Sequence, residues 1–280
     1  MRLRYFLPPT HRELRHSHIA FVEPADLAVM WSYKAACTTV IKWVLQHNGL
    51  LPEALAYHSW VHKYRLRHYQ KSDRYLDRLK DFARGRFHVV KIVRDPLERA
   101  VSSYLHAYRT GYADEAIGKV VQRSLDRRRR FSFREFVTFL EQSDLRSCDP
   151  HHRVQVAPVE RHVLFGVRPR IIKIEAGLAT ALGELENSFG LAATDFADPI
   201  FTSEHHTVRV SRNGSVADLK HFPRTAVPPA STFYDDDLRQ RIARLYAEDF
   251  RRYGYSADAV QASTGAAAEI AGPGVPRTQP

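Results

Sequence analysis

An α/β fold, with a central mainly parallel sheet flanked by helices on both faces, is what this 280-residue sequence predicts. Three observations predict it. Short apolar, β-branched runs recur at residues 26–31, 87–93 and 170–175, each is followed by an amphipathic helical repeat, and two of the strand-to-helix junctions carry unusual polar residues. Strands that alternate with helices pair in parallel and hold ligands beyond their carboxyl ends.

Taken in order, residues 26–31 (DLAVMW) form a short buried strand. Residues 38–47 then place Val40, Ile41, Val44 and Leu45 on one helical face and stop at Asn48-Gly49. Tyr57 to His62 (YHSWVH) reads as a strand whose alternate side chains His58, Trp60 and His62 share a face. Residues 73–84 repeat apolar groups at Tyr75, Leu76, Leu79 and Phe82, and Gly85 stops that helix before the strand at 87–93 (FHVVKIV). Asp95, Pro96 and Glu98 supply an N-cap, a proline at the first helical position and a capping-box acid, so a helix runs from Pro96 to about Tyr108.

Further along, Ser132 and Glu135 form another capping box ahead of Phe136, Phe139 and Leu140. Residues 170–175 (RIIKIE) give the third strand, with a helix to about Phe189, and residues 235–252 form a last helix, acidic at its start and basic at its end. The domain is thus bounded at 19–255, between a basic arm (1–18) and an Ala-, Gly- and Pro-rich stretch (256–280) read as a disordered tail.

Composition narrows the function. There are 42 Lys+Arg against 31 Asp+Glu, a formal charge of +11, and only nine of the cations are lysine. Arginine's planar fork matches phosphate, sulfate and carboxylate oxygens two at a time, so an anionic ligand is expected. Two cysteines, Cys37 and Cys148, exclude a disulfide scaffold and Cys-rich metal modules and suit a reducing compartment such as the cytoplasm. No apolar run reaches the roughly 18 residues a spanning helix needs, which points to a soluble chain. The arm cluster Arg12, Arg15, His16 and His18 is read as solvated, with peripheral contact to an acidic membrane surface as its other use.

The first junction is Ser32-Tyr33-Lys34-Ala35-Ala36-Cys37-Thr38-Thr39. Small residues admit a ligand to the backbone, the helix start offers N–H groups and a positive dipole end, the threonines add hydroxyls, and Lys34 adds a full charge. Together they make an oxyanion cradle. It lacks the G-x-x-x-x-G-K-[ST] spacing, so magnesium-bound nucleoside triphosphate is not its predicted ligand. At the second junction Arg94 ends a strand and Ser102 lies two turns into the capped helix, where guanidinium and hydroxyl converge on one phosphate.

The pair is more specific than either alone. Lys34-x-x-Cys37-Thr38 and Arg94-Asp95-Pro96-x-x-Arg99-x-x-Ser102-x-Tyr104 resemble the 5′-phosphosulfate and 3′-phosphate motifs of the sulfotransferases, particularly the Golgi-type carbohydrate sulfotransferases of sulfotransferase family 2. Two departures stand out: the family's proline before the lysine is Tyr33, and its glycine two residues beyond is Ala36. A methyl group there crowds an oxyanion in the loop.

The resemblance implies a P-loop-like sulfotransferase fold and 3′-phosphoadenosine-5′-phosphosulfate as co-substrate, with no metal. It implies that backbone amides of Ala35, Ala36, Cys37, Thr38 and Thr39, with the two threonine hydroxyls, hold the 5′-phosphate. Arg94 and Ser102 grip the 3′-phosphate, and Lys34 neutralises charge on the bridging oxygen. The acceptor is a hydroxyl, most simply of a carbohydrate or glycolipid. Its proton needs a base, for which histidine is suited. His58 lies in the interval where many sulfotransferases carry their base and is the first choice over His62. His151 and His152 sit in a stretch resembling the family's His-Trp-x-Pro-Gln, without the aromatic and proline, and His152 is taken as an acceptor-site residue.

Other polar clusters carry weaker expectations. His205 and His206 beside Glu204 lack the spacing of a metal site, and Arg209, Arg212 and Gly214 are instead read as covering the donor nucleotide. The run Arg127 to Arg130 suits an anionic polysaccharide or simply solvent. Two other classes compete with the transferase: a nucleotide-dependent kinase, against which the Walker spacing speaks, and a nucleic-acid-binding module, which has no need of Lys34, Arg94 and Ser102 together. Nucleic acid is therefore not the expected partner.

Overall fold

The computed structural model describes residues 13–14, 17–126, 128–161, 169–201, 208–209, 215–221 and 226–257. Its main sheet has four strands in the order β1 (Ile19–Val22), β2 (Leu27–Trp31), β3 (His88–Val93) and β4 (Arg170–Lys173). β2 runs parallel to β3, with Val29 opposite Val90, and β3 runs parallel to β4, with Ile92 opposite Ile172. β1 is antiparallel to β2, with Ile19 opposite Met30. The result is an open, mostly parallel α/β sheet flanked by helices. The central strands are buried almost throughout, as expected of a sheet covered by helices.

β1 was not among the expected strands. It forms the edge of the sheet, and side chains occupy its outer backbone groups: the Phe21 N–H donates to the Tyr69 hydroxyl at 2.9 Å, and the Tyr75 hydroxyl donates to the Ile19 carbonyl at 3.1 Å. Asn48 adds a bond from its amide nitrogen to the Phe21 carbonyl at 2.7 Å. These contacts close an edge that could otherwise pair with another chain.

The helices are α1 (Cys37–His47), α2 (Leu51–Tyr57), α3 (Val61–Arg67), α4 (Asp73–Ala83), α5 (Pro96–Thr110), α6 (Asp114–Val120), α7 (Phe133–Glu141), α8 (Leu178–Phe189), α9 (Asp236–Leu245) and α10 (Ala247–Tyr253). α1 buries Val40, Ile41, Trp43, Val44 and Leu45, and Trp43 reaches Glu186 of α8 at 2.6 Å. Around the sheet these helices share one apolar core, which includes Phe21, Val90, Leu79, Phe82 and Leu185. A second core joins α5, α7 and α9 through Tyr104, Phe131, Phe133, Phe136, Phe233 and Ile242. That second core carries the α5 helix as a rigid strut under the site.

Three local expectations are corrected. Tyr57 to His62 is no strand: α2 ends at Tyr57 and α3 begins at Val61, because helical burial of Val61 and Tyr64 prevails over the period-2 pattern and leaves Trp60 54% exposed. The last helix is two, broken at Tyr246, whose hydroxyl is drawn to the His152 carbonyl at 2.7 Å. At α5, Asp95 caps the N–H groups of Leu97 and Glu98 as expected, at 2.8 and 3.1 Å, but Glu98 does not reach back to complete the box. Its carboxylate pairs with Arg94 instead, at 3.0 Å. The box at Ser132 and Glu135 is complete.

Most of the proposed tail, from 258 on, lies outside the described residues, as do Arg12, Arg15, His16, Arg127, His205, His206, Arg212, Gly214 and the Arg209 side chain. Of the arginine run, Arg130 is buried and structural: it pairs with Asp114 at 2.7 Å and donates to the Tyr108 carbonyl. Among the described residues no helix is long and apolar enough to cross a membrane.

Candidate active site

The site is built where β2 and β3 end side by side. β2 stops at Trp31, residues 32–36 turn, and α1 begins at Cys37. The turn is tight enough to place Lys34 at φ 67° and Ala36 at φ 54°, both in the left-handed region. For a residue with a Cβ that conformation costs roughly 1–2 kcal/mol, so the surroundings must hold it. The Ala35 N–H donates to the Ser32 carbonyl at 3.2 Å, which commits that amide within the loop and removes it from the set expected to meet a ligand. α1 has no side-chain cap, and no backbone partner is found among the described residues for the N–H groups of Cys37, Thr38 and Thr39. An uncapped helix start of this kind fits an anion.

Three side chains lock the two junctions together. Arg94, just beyond β3, donates from Nη1 to the Lys34 carbonyl at 3.3 Å. Arg99, 1% exposed on α5, donates from Nε to the Tyr33 carbonyl at 3.0 Å. Gln155 accepts from the Arg94 N–H at 2.9 Å, donates to the Arg94 carbonyl at 2.7 Å, and offers its own carbonyl to Ser32 Oγ at 3.4 Å. Gln155 is fixed in turn by Asp249, whose carboxylate takes the Gln155 N–H at 2.8 and 2.9 Å. Beneath them Lys91 and Glu160 form a buried pair at 3.3 Å, and Lys91 also donates to the Gln155 carbonyl at 2.8 Å.

Electrostatically the site is positive. Lys34 makes no ion pair among the described residues, and burial, with Arg94, Arg109 and Arg99 acting against Cys37, pushes it down to about 8. An oxyanion would relieve three neighbouring guanidinium charges at once. Ser102 lies half-buried on α5, two turns from Arg94, with no protein partner found for its hydroxyl among the described residues. Behind Arg94, Glu175 accepts the Asp95 N–H at 2.6 Å and the Tyr255 hydroxyl at 3.2 Å, tying the β4 end to the second junction.

The histidines separate clearly. His58 sits in the turn between α2 and α3 with Nδ1 accepting the Trp60 N–H at 2.9 Å, and no contact joins it to the Lys34 loop. His62 makes that contact instead: its Nε2 lies 3.3 Å from Thr38 Oγ1, and burial, aided by Arg65 and Lys42, pushes it down to about 3. His152, expected to meet the acceptor, is 1% exposed with both ring nitrogens committed, Nδ1 to Ser103 Oγ at 2.7 Å and Nε2 to the Tyr112 hydroxyl at 2.8 Å. It braces α5 rather than facing a ligand. Its neighbour His151 faces the other way, stacked on His106 with ring centroids 4.3 Å apart and edge-on to Tyr33 at 4.8 Å.

Arg109, His106, Asp149 and the clamp by Gln155 were not read as functional from the sequence. The first two continue the helical face that begins at Ser102 and could have been found by extending it. Asp149 stands two residues before its partner His151 and was equally within reach, whereas the clamp was not, since Gln155 meets Arg94 and Asp249 across 61 and 94 positions. Among the described residues no group of three or more His, Cys, Asp or Glu is arranged to hold a metal ion.

Two strand-to-helix junctions locked around a cationic, uncapped helix start define an anion-binding protein built on an α/β sheet. Comparison with known proteins is specific about which: residues 33–256 match the sulfotransferase family, and the chain belongs to it. No curated protein and no solved structure matches the chain. Its activity is accordingly the transfer of a sulfuryl group.

Proposed function

We propose that the chain moves the sulfuryl group of 3′-phosphoadenosine-5′-phosphosulfate to a hydroxyl of a carbohydrate or glycolipid. The observation that carries this reading is the bond from Arg94 to the Lys34 carbonyl at 3.3 Å, which joins the two junctions and supports reading them as one site for a doubly phosphorylated nucleotide. When bound, the donor supplies an activated sulfur–oxygen bond. The amides of Ala36 to Thr39 and the hydroxyls of Thr38 and Thr39 hold its 5′-phosphate, while Arg94 and Ser102 hold the 3′-phosphate that distinguishes it from ATP. Lys34 meets the charge that grows on the leaving oxygen, a form of catalysis worth roughly 10²–10³ in rate per donor. Exposed Trp60, beside His62 at 5.6 Å, and the basic surface suit a sugar ring bearing acidic groups.

Thermal unfolding tests the donor. 3′,5′-Bisphosphoadenosine is expected to raise Tm well beyond ATP with magnesium. A shift dominated by oligonucleotide and lost in salt would favour a nucleic-acid binder instead.

A further inference from the structure

We infer that His151, oriented by Asp149, is the base that accepts the proton of the acceptor hydroxyl. This rests on the sulfuryl-transfer reading above and concerns a pair of residues that the motif resemblance left without a role. His151 Nδ1 lies 2.7 Å from Asp149 Oδ1, and the same carboxylate oxygen accepts the His151 N–H at 2.9 Å. An ionised Asp149 makes Nδ1 the protonated nitrogen, which leaves the Nε2 lone pair to receive a proton. No hydrogen bond is found for Nε2 among the described residues.

The position is built, not incidental. The His151 carbonyl accepts from Ser103 Oγ at 2.8 Å and Arg99 Nη2 at 3.5 Å, so α5 fixes its backbone. Its ring lies in a pocket of Tyr33, His106 and Tyr112, the first being the residue before Lys34. Lys34 in turn acts on His106, whose ring is stacked on His151. The imidazole side chain is 22% exposed, open to an acceptor and yet anchored. The charged and titratable groups around it are Asp149, His106, His152, Tyr33, Tyr112, Arg99 and, across His106, Lys34. Burial works against ionisation of Asp149, but the bonds from His151 outweigh it and hold the carboxyl at about 2.

The alternatives fall away on geometry. His152 has no free nitrogen. His58 does not touch the loop, and His62 gives Nε2 to Thr38 while its unpartnered Nδ1 is buried away from solvent and so from an entering acceptor. Among the described residues the other histidine–carboxylate pair, His47 with Glu186 at 3.1 Å, is buried at the far end of α1. In the transfer the acceptor oxygen forms its bond to sulfur as the sulfur–oxygen bond to the 5′-phosphate breaks. The hydroxyl proton passes to His151 Nε2, and the leaving oxygen keeps the electron pair opposite Lys34.

The test uses the full chain, radiolabelled 3′-phosphoadenosine-5′-phosphosulfate, and chondroitin, heparosan and water as acceptors. His151→Asn and His151→Gln are expected to lower turnover by about 10²–10⁴ while the Kd for 3′,5′-bisphosphoadenosine stays within about twofold of wild type by the uniform-binding logic of mutant kinetics. Asp149→Asn tests the positioning role: the acid limb of kcat/KM moves to lower pH and the plateau drops, which a merely structural residue would not produce. Turnover unchanged in both His151 variants, or lost instead in His58→Ala, overturns the inference and leaves the transferase reading standing. A wild-type chain that binds no bisphosphoadenosine, or binds it and consumes no donor, overturns the transferase reading itself.

Discussion

Gln155 holds Arg94 by both ends of one residue's backbone, taking its N–H at 2.9 Å and giving to its carbonyl at 2.7 Å. The side chain amide thereby continues the β3 hydrogen-bond pattern past the last strand residue and aims the guanidinium at the Lys34 loop. Leucine at this position would leave both backbone groups unpaired, at about 1–3 kcal/mol each. Gln155→Leu is expected to lose about 2–6 kcal/mol of stability in urea unfolding and to bind bisphosphoadenosine about tenfold more weakly by calorimetry. Full stability with unchanged affinity would show that Arg94 needs no such clamp.

Ala36 occupies the left-handed region at φ 54°, where its methyl group is both strained and close to the expected oxyanion. Glycine relieves the strain of roughly 1–2 kcal/mol at a chain-entropy cost of about 0.4–1 kcal/mol. Ala36→Gly is therefore expected to be neutral to about 1 kcal/mol more stable and to bind bisphosphoadenosine more tightly. Weaker binding would mean that the methyl group packs usefully against the nucleotide.

How much of this could be read from sequence depends on how local each signal is. The β2, β3 and β4 strands and the starts of α5 and α7 were legible because buried β-branched runs and Asp-Pro or Ser-x-x-Glu caps act over a few residues. The first junction stood out in the sequence through its small residues and Lys34. β1 was missed because four apolar residues at a sheet edge have no periodicity to distinguish them. The α2–α3 corner was misread because His58, Trp60 and His62 alternate like a strand. Least legible was the polar lattice behind the site: Arg99 reaches Arg153, Ser103 reaches His152, and Asp249 reaches Gln155, contacts spanning about 50 to 90 positions that only the packed fold defines.

Lys34 sets an alkaline limit. Burial, reinforced by Arg94, Arg109 and Arg99 and opposed by Cys37, brings it down to about 8, so the free enzyme loses this charge above that pH. kcat/KM for the donor is expected to fall about tenfold per pH unit above pH 8. Lys34→Arg, charged throughout, should abolish that limb, and Lys34→Ala should cost about 10²–10³ in kcat. The sign for folding is opposite: the native state resists protonation more than the unfolded chain does, so apo stability rises as pH climbs from about 8 toward the ordinary lysine value. A limb that persists in Lys34→Arg would assign it to another group.

Acid stability follows from three histidines kept neutral. Burial is the leading cause for each: His62 and His106 are pushed down to about 3, and His152 to about 4. From the usual value near 6.5 down to those values the unfolded chain binds more protons than the native one, so stability is complete above about pH 6.5 and is lost as pH falls. Glu135, held at about 2 by Arg123 and the Ser132 N–H against its burial, adds a further loss below the ordinary carboxylate range. Asp249 works in the other direction. Burial raises it to about 6 despite Arg99 and its backbone donors, so its stabilisation is present below its unfolded value and lost as pH rises through 6. Three against one, the balance predicts steep destabilisation between pH 6 and 4. His152→Phe removes one of the three and is expected to reduce the slope of unfolding free energy against pH by about 1.4 kcal/mol per pH unit at most, alongside the cost of orphaning Ser103 and Tyr112. An unaltered slope would mean that His152 is protonated equally well in the folded chain, and the aromatic enclosure by Tyr112, Phe136 and Phe139 would then have to open to water.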